Sequence, residues 1–298
     1  MRQSSNPVFK DLDKEYGRYA TFGGNAAGGA PQAGRGMAGQ YPQGQFPQGG
    51  QYPGQPAPEQ YRAEPSGRAM TIDDIVTKTA MTLGVLTIAA VISFVLVHGN
   101  ESLAMPLTFG GMIVGLGLSL FAIFTRRTDK PALVLSYAAA EGVFLGAISY
   151  LFANFAIGDG GPPGNTIIIQ AVVGTFGVFF GMLVVYKTGA IRVTPKFTKM
   201  VVGALFGVLA LMVVNLIAGF FMDGGLGLRD GGPIAIIFSL VCIGLAAMSF
   251  LIDFDEADKL IRMGAPEKTA WSVSFGLTIT LVWLYLEILR LLSYFSSD

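Results

Sequence analysis

Residues 79–97 read TAMTLGVLTIAAVISFVLV, a run without a single charged side chain. About 20 apolar residues, at ~1.5 Å of helical rise each, cross the ~30 Å hydrocarbon core of a bilayer. Working outward, comparable runs recur to the C-terminus with only short polar interruptions. They fall near 77–97, 105–125, 131–155, 165–186, 199–221, 232–253 and 271–294. None alternates with the period of two that barrel strands require. In lipid, the remaining solution is the helix, which satisfies its own backbone. The reading is an all-α integral membrane protein with a seven-transmembrane-helix bundle over residues 71–298. The first apolar stretch starts near Lys78 and must serve as the first span. No hydrophobic core of a leader precedes it, so no cleaved signal peptide is expected.

Composition agrees. Apolar residues make up 52% of the chain and charged residues 13%, about half the usual charged share of a soluble domain. Mean hydropathy is +0.54 although the first seventy residues are polar. Net charge is zero, which gives no case for nucleic acid. Cys242 is the only cysteine; it lies within an apolar run and reads as a small packed residue, with no disulfide or metal spacing around it. Residues 1–70 form a separate region. From 40 to 62 it reads QYPQGQFPQGGQYPGQPAPEQYR, too poor in aliphatics to offset its chain entropy, so a disordered Gln/Pro/Gly-rich tail is expected. Only a short helical turn near residues 11–19 is anticipated within it.

Lys and Arg in the short loops set the orientation. Arg62, Arg68 and Lys78 precede or open the first helix, and the first loop (HGNESLAMP) has no basic residue but its histidine. The second loop holds Arg126, Arg127 and Lys130, and the third (GDGGPPGN) has none. The fourth holds Lys187, Arg192, Lys196 and Lys199, the fifth only Arg229, and the sixth Lys259, Arg262 and Lys268. This alternation predicts a cytoplasmic N-terminus and an outside C-terminus.

Within the spans, Gly111/Gly115, Gly177/Gly181 and Gly203/Gly207 stand at small-xxx-small spacing and read as helix-packing positions. Asn215 reads as an interhelical hydrogen-bonding residue, and His98 as an interfacial imidazole. The ionisable residues carry more. A carboxylate at membrane depth costs several kcal/mol unless it is neutral, paired or facing water. Glu141 lies near the middle of the third helix, with Tyr137 and Ser149 on its side of the helical wheel. Asp253 closes the apolar part of the sixth, followed by Asp255 and Glu256. Glu287 sits inside the seventh, with Thr280, Trp283, Arg290 and Tyr294 along one face. Each also has a plainer reading. Asp253 opens a cytosolic acidic helix end, Glu287 pairs with Arg290 at i,i+3, and Glu141 is a protonated packing donor. No nucleophile–base pair, paired metal ligands or phosphate loop appears, so no enzyme is expected.

The stretches FLIDFDEADKLI (250–261), GAPEKTAW (264–271) and FGLTITLVWLYLEILRLL (275–292) resemble the last two helices of the Bax inhibitor motif family. AAAEGVFLGAISYLF (138–152) and NPVF (6–9) are similar to its bacterial YccA-like branch of actinobacterial type. The resemblance implies two triple-helix layers around a central last helix, and a slow, pH-sensitive calcium leak. It also implies that an acid of the sixth helix, here Asp253, faces one in a Leu-Tyr-Leu-acid segment of the seventh, here Glu287. That position is commonly aspartate in the family. Two close carboxylates in a low-dielectric site share a proton and titrate as a pair. Opened, they offer Ca²⁺ too few of the six to eight oxygens it takes, so carbonyls and waters complete a weak site. Asp253 and Glu287 are thus the candidate pH-sensing, cation-pathway and weak Ca²⁺-binding residues, and Glu141, Asp255 and Arg290 secondary pathway candidates. No tightly bound cofactor is expected, with Ca²⁺ as the transported or weakly held ion. The competing reading is a non-conducting regulator of a membrane-anchored protease in a bacterial plasma membrane, acting through the tail or the helices.

Two outcomes check the topology and the tail. A cysteine placed among residues 159–164 should label from outside intact cells, and one near Thr194 only after permeabilisation. Protease applied to inside-out vesicles should remove residues 1–70 and leave the bundle whole; protection of that segment would contradict the assignment.

Overall fold

The computed structural model describes residues 68–155, 164–222 and 225–296. The expected tail, residues 1–70, lies outside these except for its last three residues. Seven helices follow in order: α1 (Ile72–Gly99), α2 (Ala104–Phe124), α3 (Pro131–Phe155), α4 (Gly164–Thr188), α5 (Pro195–Ala218), α6 (Pro233–Arg262) and α7 (Thr269–Ser296). A 3-10 turn, Glu101–Leu103, joins the first two. All seven are long and apolar enough to cross a membrane. The protein is an all-α, multi-pass membrane bundle.

Local chemistry explains the helix ends, several of which differ from the hydropathy limits. α1 starts at Ile72, ahead of the expected 77, because Thr71 and Asp74 form a capping box in which each side chain bonds the other's backbone N–H. Lys78 is therefore not a loop charge. It is buried in α1, with its Nζ donating to the Glu267 carbonyl at 2.9 Å and to Glu267 Oε1 at 3.2 Å. α5 opens on Pro195 behind the cap Thr194, whose hydroxyl accepts from Phe197 N–H. α6 continues past Asp253 to Arg262 and stops in a Schellman motif. Gly264 takes φ +69°, Ala265 N–H reaches Leu260 O, and Gly264 N–H reaches Ile261 O. The chain ahead of α1 clasps this turn: Met70 N–H donates to Ala265 O at 2.8 Å, and Glu267 N–H to Arg68 O at 3.0 Å. Arg68 to Met70 thus belong to the edge of the bundle.

α7 is the axis. It contacts α1, α3, α4 and α6, and 56% of its apolar window is buried against 11% for α5. α1, α2 and α3 pack on one side and α4, α5 and α6 on the other, with α5 resting on α6. Large apolar residues such as Ile88, Ile113, Val173 and Phe206 point outward, as lipid-facing positions do.

The glycine expectation divides. Gly111 lies against the Phe144 backbone and Gly115 against the Glu141 side chain, so this pair does pack. Gly177, Gly181, Gly203 and Gly207 face open space and do not. The closest helix approach uses Gly142 and Gly146 of α3, seated on the carbonyls of Leu86 and Ala90 of α1. Ser93 Oγ seals it by donating to Val143 O at 2.7 Å. Asn215 is also reassigned: its Oδ1 accepts from Leu226 N–H at 2.9 Å and ties down the following loop rather than another helix.

These contacts predict a contrast between two equal substitutions. Gly146→Ala forces a methyl into the α1 backbone and should cost about 1–3 kcal/mol, the usual range for overpacking. Gly177→Ala adds the same methyl in open space and should be neutral or gain up to about 1 kcal/mol of helix propensity. Thermal unfolding of both variants in detergent checks the difference.

Candidate functional site: carboxylates along the central helix

Asp253 and Glu287 are both 2% exposed, within a bundle whose outer surface is apolar. Asp253 bonds a hydroxyl of α7, and Glu287 meets two guanidinium groups. Asp253 Oδ2 accepts from Thr280 Oγ1 of α7 at 2.8 Å. Glu287 Oε1 receives Arg290 Nη1 at 2.8 Å, one turn along the same helix, and Arg229 Nη2 at 3.5 Å from the loop ahead of α6. Its Oε2 is buried with no hydrogen-bond partner among the described residues.

These bonds correct the expected pairing. The α6–α7 hairpin places Asp253 opposite Thr280, and Glu287 follows seven residues later, about 10 Å further along the axis. The acids stand at successive levels of α7 instead of face to face. The connection is the cause. A turn centred on Ala270 gives equal depths only if residues 266–271 stay outside the last helix. The Schellman motif instead closes α6 at Arg262, and α7 begins at Thr269, so Ala270 and Trp271 belong to α7. The shorter link shifts the register by two turns. Arg290 then becomes Glu287's nearest cation, at the i,i+3 spacing visible in the sequence.

Arg229 is the residue that sequence reasoning missed. It was only the lone base of the fifth loop, yet its guanidinium reaches in to the Glu287 carboxylate and lies beside Met212 Sδ. Burial foremost, with the Arg290 charge next to it, pulls Arg229 below its ordinary value, while Glu287 acts in the opposite sense. The signal was its isolation: one arginine in a loop set otherwise free of Lys and Arg.

Of the three secondary candidates, Arg290 joins Glu287, and Asp255 and Glu141 lie elsewhere. Asp255 is clamped by Lys259 Nζ at 2.6 Å, and the same ammonium reaches Glu256 at 3.6 Å, towards the basic end of the bundle. Glu141 is on α3, its carboxylate against Gly115 of α2 and so at the α2–α3 seam. Along α3 the Tyr137 hydroxyl hydrogen-bonds the Glu141 carboxyl, and the Tyr137 ring stacks edge-on against Phe275 of α7; further along the helix, the Ser149 hydroxyl shares a 2.7 Å hydrogen bond with that of Tyr285. No three metal-ligating side chains of the His, Cys, Asp or Glu type cluster among the described residues. Asp253, Glu287 and the Thr280 hydroxyl supply oxygens strung along α7, a donor set suited to brief contact with a hard cation, not to a closed cage.

A comparison with curated proteins found no match. The profile described as Bax inhibitor 1 like matches residues 6–297, nearly the whole chain, including the α6–α7 hairpin that carries both buried acids. With its seven spanning helices and buried last helix, this protein belongs to the Bax inhibitor 1-like family.

Proposed function

We propose that the protein is a pH-sensitive cation (Ca²⁺) leak channel or transporter of a bacterial plasma membrane, of the YccA-like branch, with a cytoplasmic N-terminus and an outside C-terminus. The observation that carries this reading is the placement of two buried carboxylates, Asp253 and Glu287, at consecutive levels of the helix on which the bundle is centred. Acidic side chains at membrane depth are costly, and their retention along one axis fits a pathway for positive charge. Successive weak sites allow an ion to enter and to leave, which a single tight site would not.

The arginines give the resting state its sense. Arg229 and Arg290 both direct guanidinium groups at Glu287 Oε1, so the level of Glu287 carries net positive charge and repels an approaching cation. Conduction requires Arg229 to leave with its loop, exposing Glu287 oxygens. Asp253 then offers the next oxygen, beside the Thr280 hydroxyl. A proton on Asp253 removes its negative charge and blocks that station. Flux should therefore rise with pH.

Purified protein in liposomes loaded with a Ca²⁺ indicator tests this across a pH series. Wild type should show a slow flux that climbs as pH rises. Asp253→Asn should flatten the pH profile and lower the flux about tenfold or more. Arg229→Ala should raise the flux severalfold by removing one of the two cations at Glu287. A flux that is flat with pH and indifferent to both substitutions would favour the non-conducting regulator of a membrane-anchored protease, working through the Gln/Pro/Gly-rich tail.

A further inference from the structure

A cavity of about 640 Å³ lies between α1 and α4, floored by α3 and α7, and the carboxylate pathway makes no use of it. Its volume falls within the ~300–1,000 Å³ typical of small-molecule sites. Thr87, Val91 and Phe94 form one wall, and Ile169, Val172 and Phe176 the other. Val91, Ile169, Val172 and Phe176 are themselves exposed, so the groove opens sideways through the apolar surface of the bundle instead of towards either end.

We propose that this groove binds one acyl chain of a membrane phospholipid, in the leaflet at the end of the bundle where α1 finishes and α4 begins. The dimensions select the occupant. The lining runs from Leu83 to Phe94 on α1 and from Asn165 to Phe176 on α4. Eleven residues of rise on each wall give about 16 Å, half of the ~30 Å hydrocarbon core and so the depth of one leaflet. The chemistry selects it too. The Ser149 and Tyr285 hydroxyls satisfy each other on the floor, and Thr175 Oγ1 donates to its own helix at Ala171 O. A polar ligand meets no waiting partner on that floor, while a hydrocarbon chain meets apolar side chains along its length. Asn165, at the first turn of α4, stands at the level where the ester and headgroup of such a lipid would lie. Arg68, where the described chain begins, lies beside the α6–α7 turn at the opposite end.

The test uses the full chain in phosphatidylcholine liposomes containing a small fraction of phosphatidylcholine with a diazirine on one acyl chain. After irradiation, adducts are mapped by peptide mass spectrometry. Labelling at residues 83–94 and 165–176 should exceed severalfold that of the lipid-facing residues Ile113 of α2 and Phe206 of α5, which report bulk lipid. Val172→Trp, which narrows the mouth, should reduce groove labelling severalfold and leave Ile113 and Phe206 labelling unchanged. Thr87→Phe narrows the mouth from the other wall and should act in the same way if the first variant does not fold. Groove labelling equal to that of bulk positions, or insensitive to both substitutions, would overturn the proposal. So would groove labelling that stays below the bulk positions until the protein is diluted in lipid, which would assign the groove to a second copy of the chain.

Discussion

A helix enclosed on every side by other helices has no face on which to leave a polar group in water. Polar side chains of α7 must therefore find partners within the protein: Thr278 and Ser293 bond back to their own helix, and others reach across an interface. The bonds rise along it in order. Ser272 meets the Thr128 hydroxyl at 2.9 Å in the α2–α3 turn, and Ser274 meets Thr82 of α1 at 2.9 Å. Thr280 donates to Asp253 of α6, Tyr285 pairs with Ser149 of α3, and Glu287 receives Arg229 from the loop before α6. Lipid competes for none of these, and apolar packing alone gives little preference for one helix neighbour over another in hydrocarbon. The polar rungs fix which helix lies against which level of α7.

The same ladder bears on the proposed cation pathway. A satisfied hydroxyl pair is inert, whereas a buried carboxylate can change its charge and with it the contacts it holds. Thr280–Asp253 and Arg229–Glu287 are the two rungs that contain an acid. One joins two helices. The other joins α7 to the loop ahead of α6. In the proposed channel, a gate at the loop rung would leave the helix rungs in place.

The α1–α3 pair is the rigid counterpart. Gly142 and Gly146 bring two backbones into contact, and Ser93 adds a hydrogen bond across the seam. On the other side, α4 and α5 expose Gly177, Gly181, Gly203 and Gly207 without a packed neighbour. The same spacing therefore serves different ends on the two sides of α7. Spacing states that a close approach is permitted; only the neighbour decides whether it occurs.

The number of helices, their order and the buried acids of α6 and α7 were legible in the chain itself, because the thickness of the bilayer dictates the length of every span and the cost of a charge inside it. The i,i+3 pairing of Glu287 with Arg290 was legible for the same local reason, being set by the pitch of a single helix. The register between α6 and α7 was not. It depends on the six residues between Arg262 and Thr269, where the Schellman turn at Gly264 and the clasp from Arg68 and Met70 move Asp253 two turns away from Glu287's level. Arg229's inward reach and the groove between α1 and α4 likewise arise from segments distant in sequence. Hydropathy and helical periodicity encode what one segment does with lipid. Which side chains meet was decided by tertiary packing, through close backbone approaches and hydrogen bonds between helices that no single segment contains.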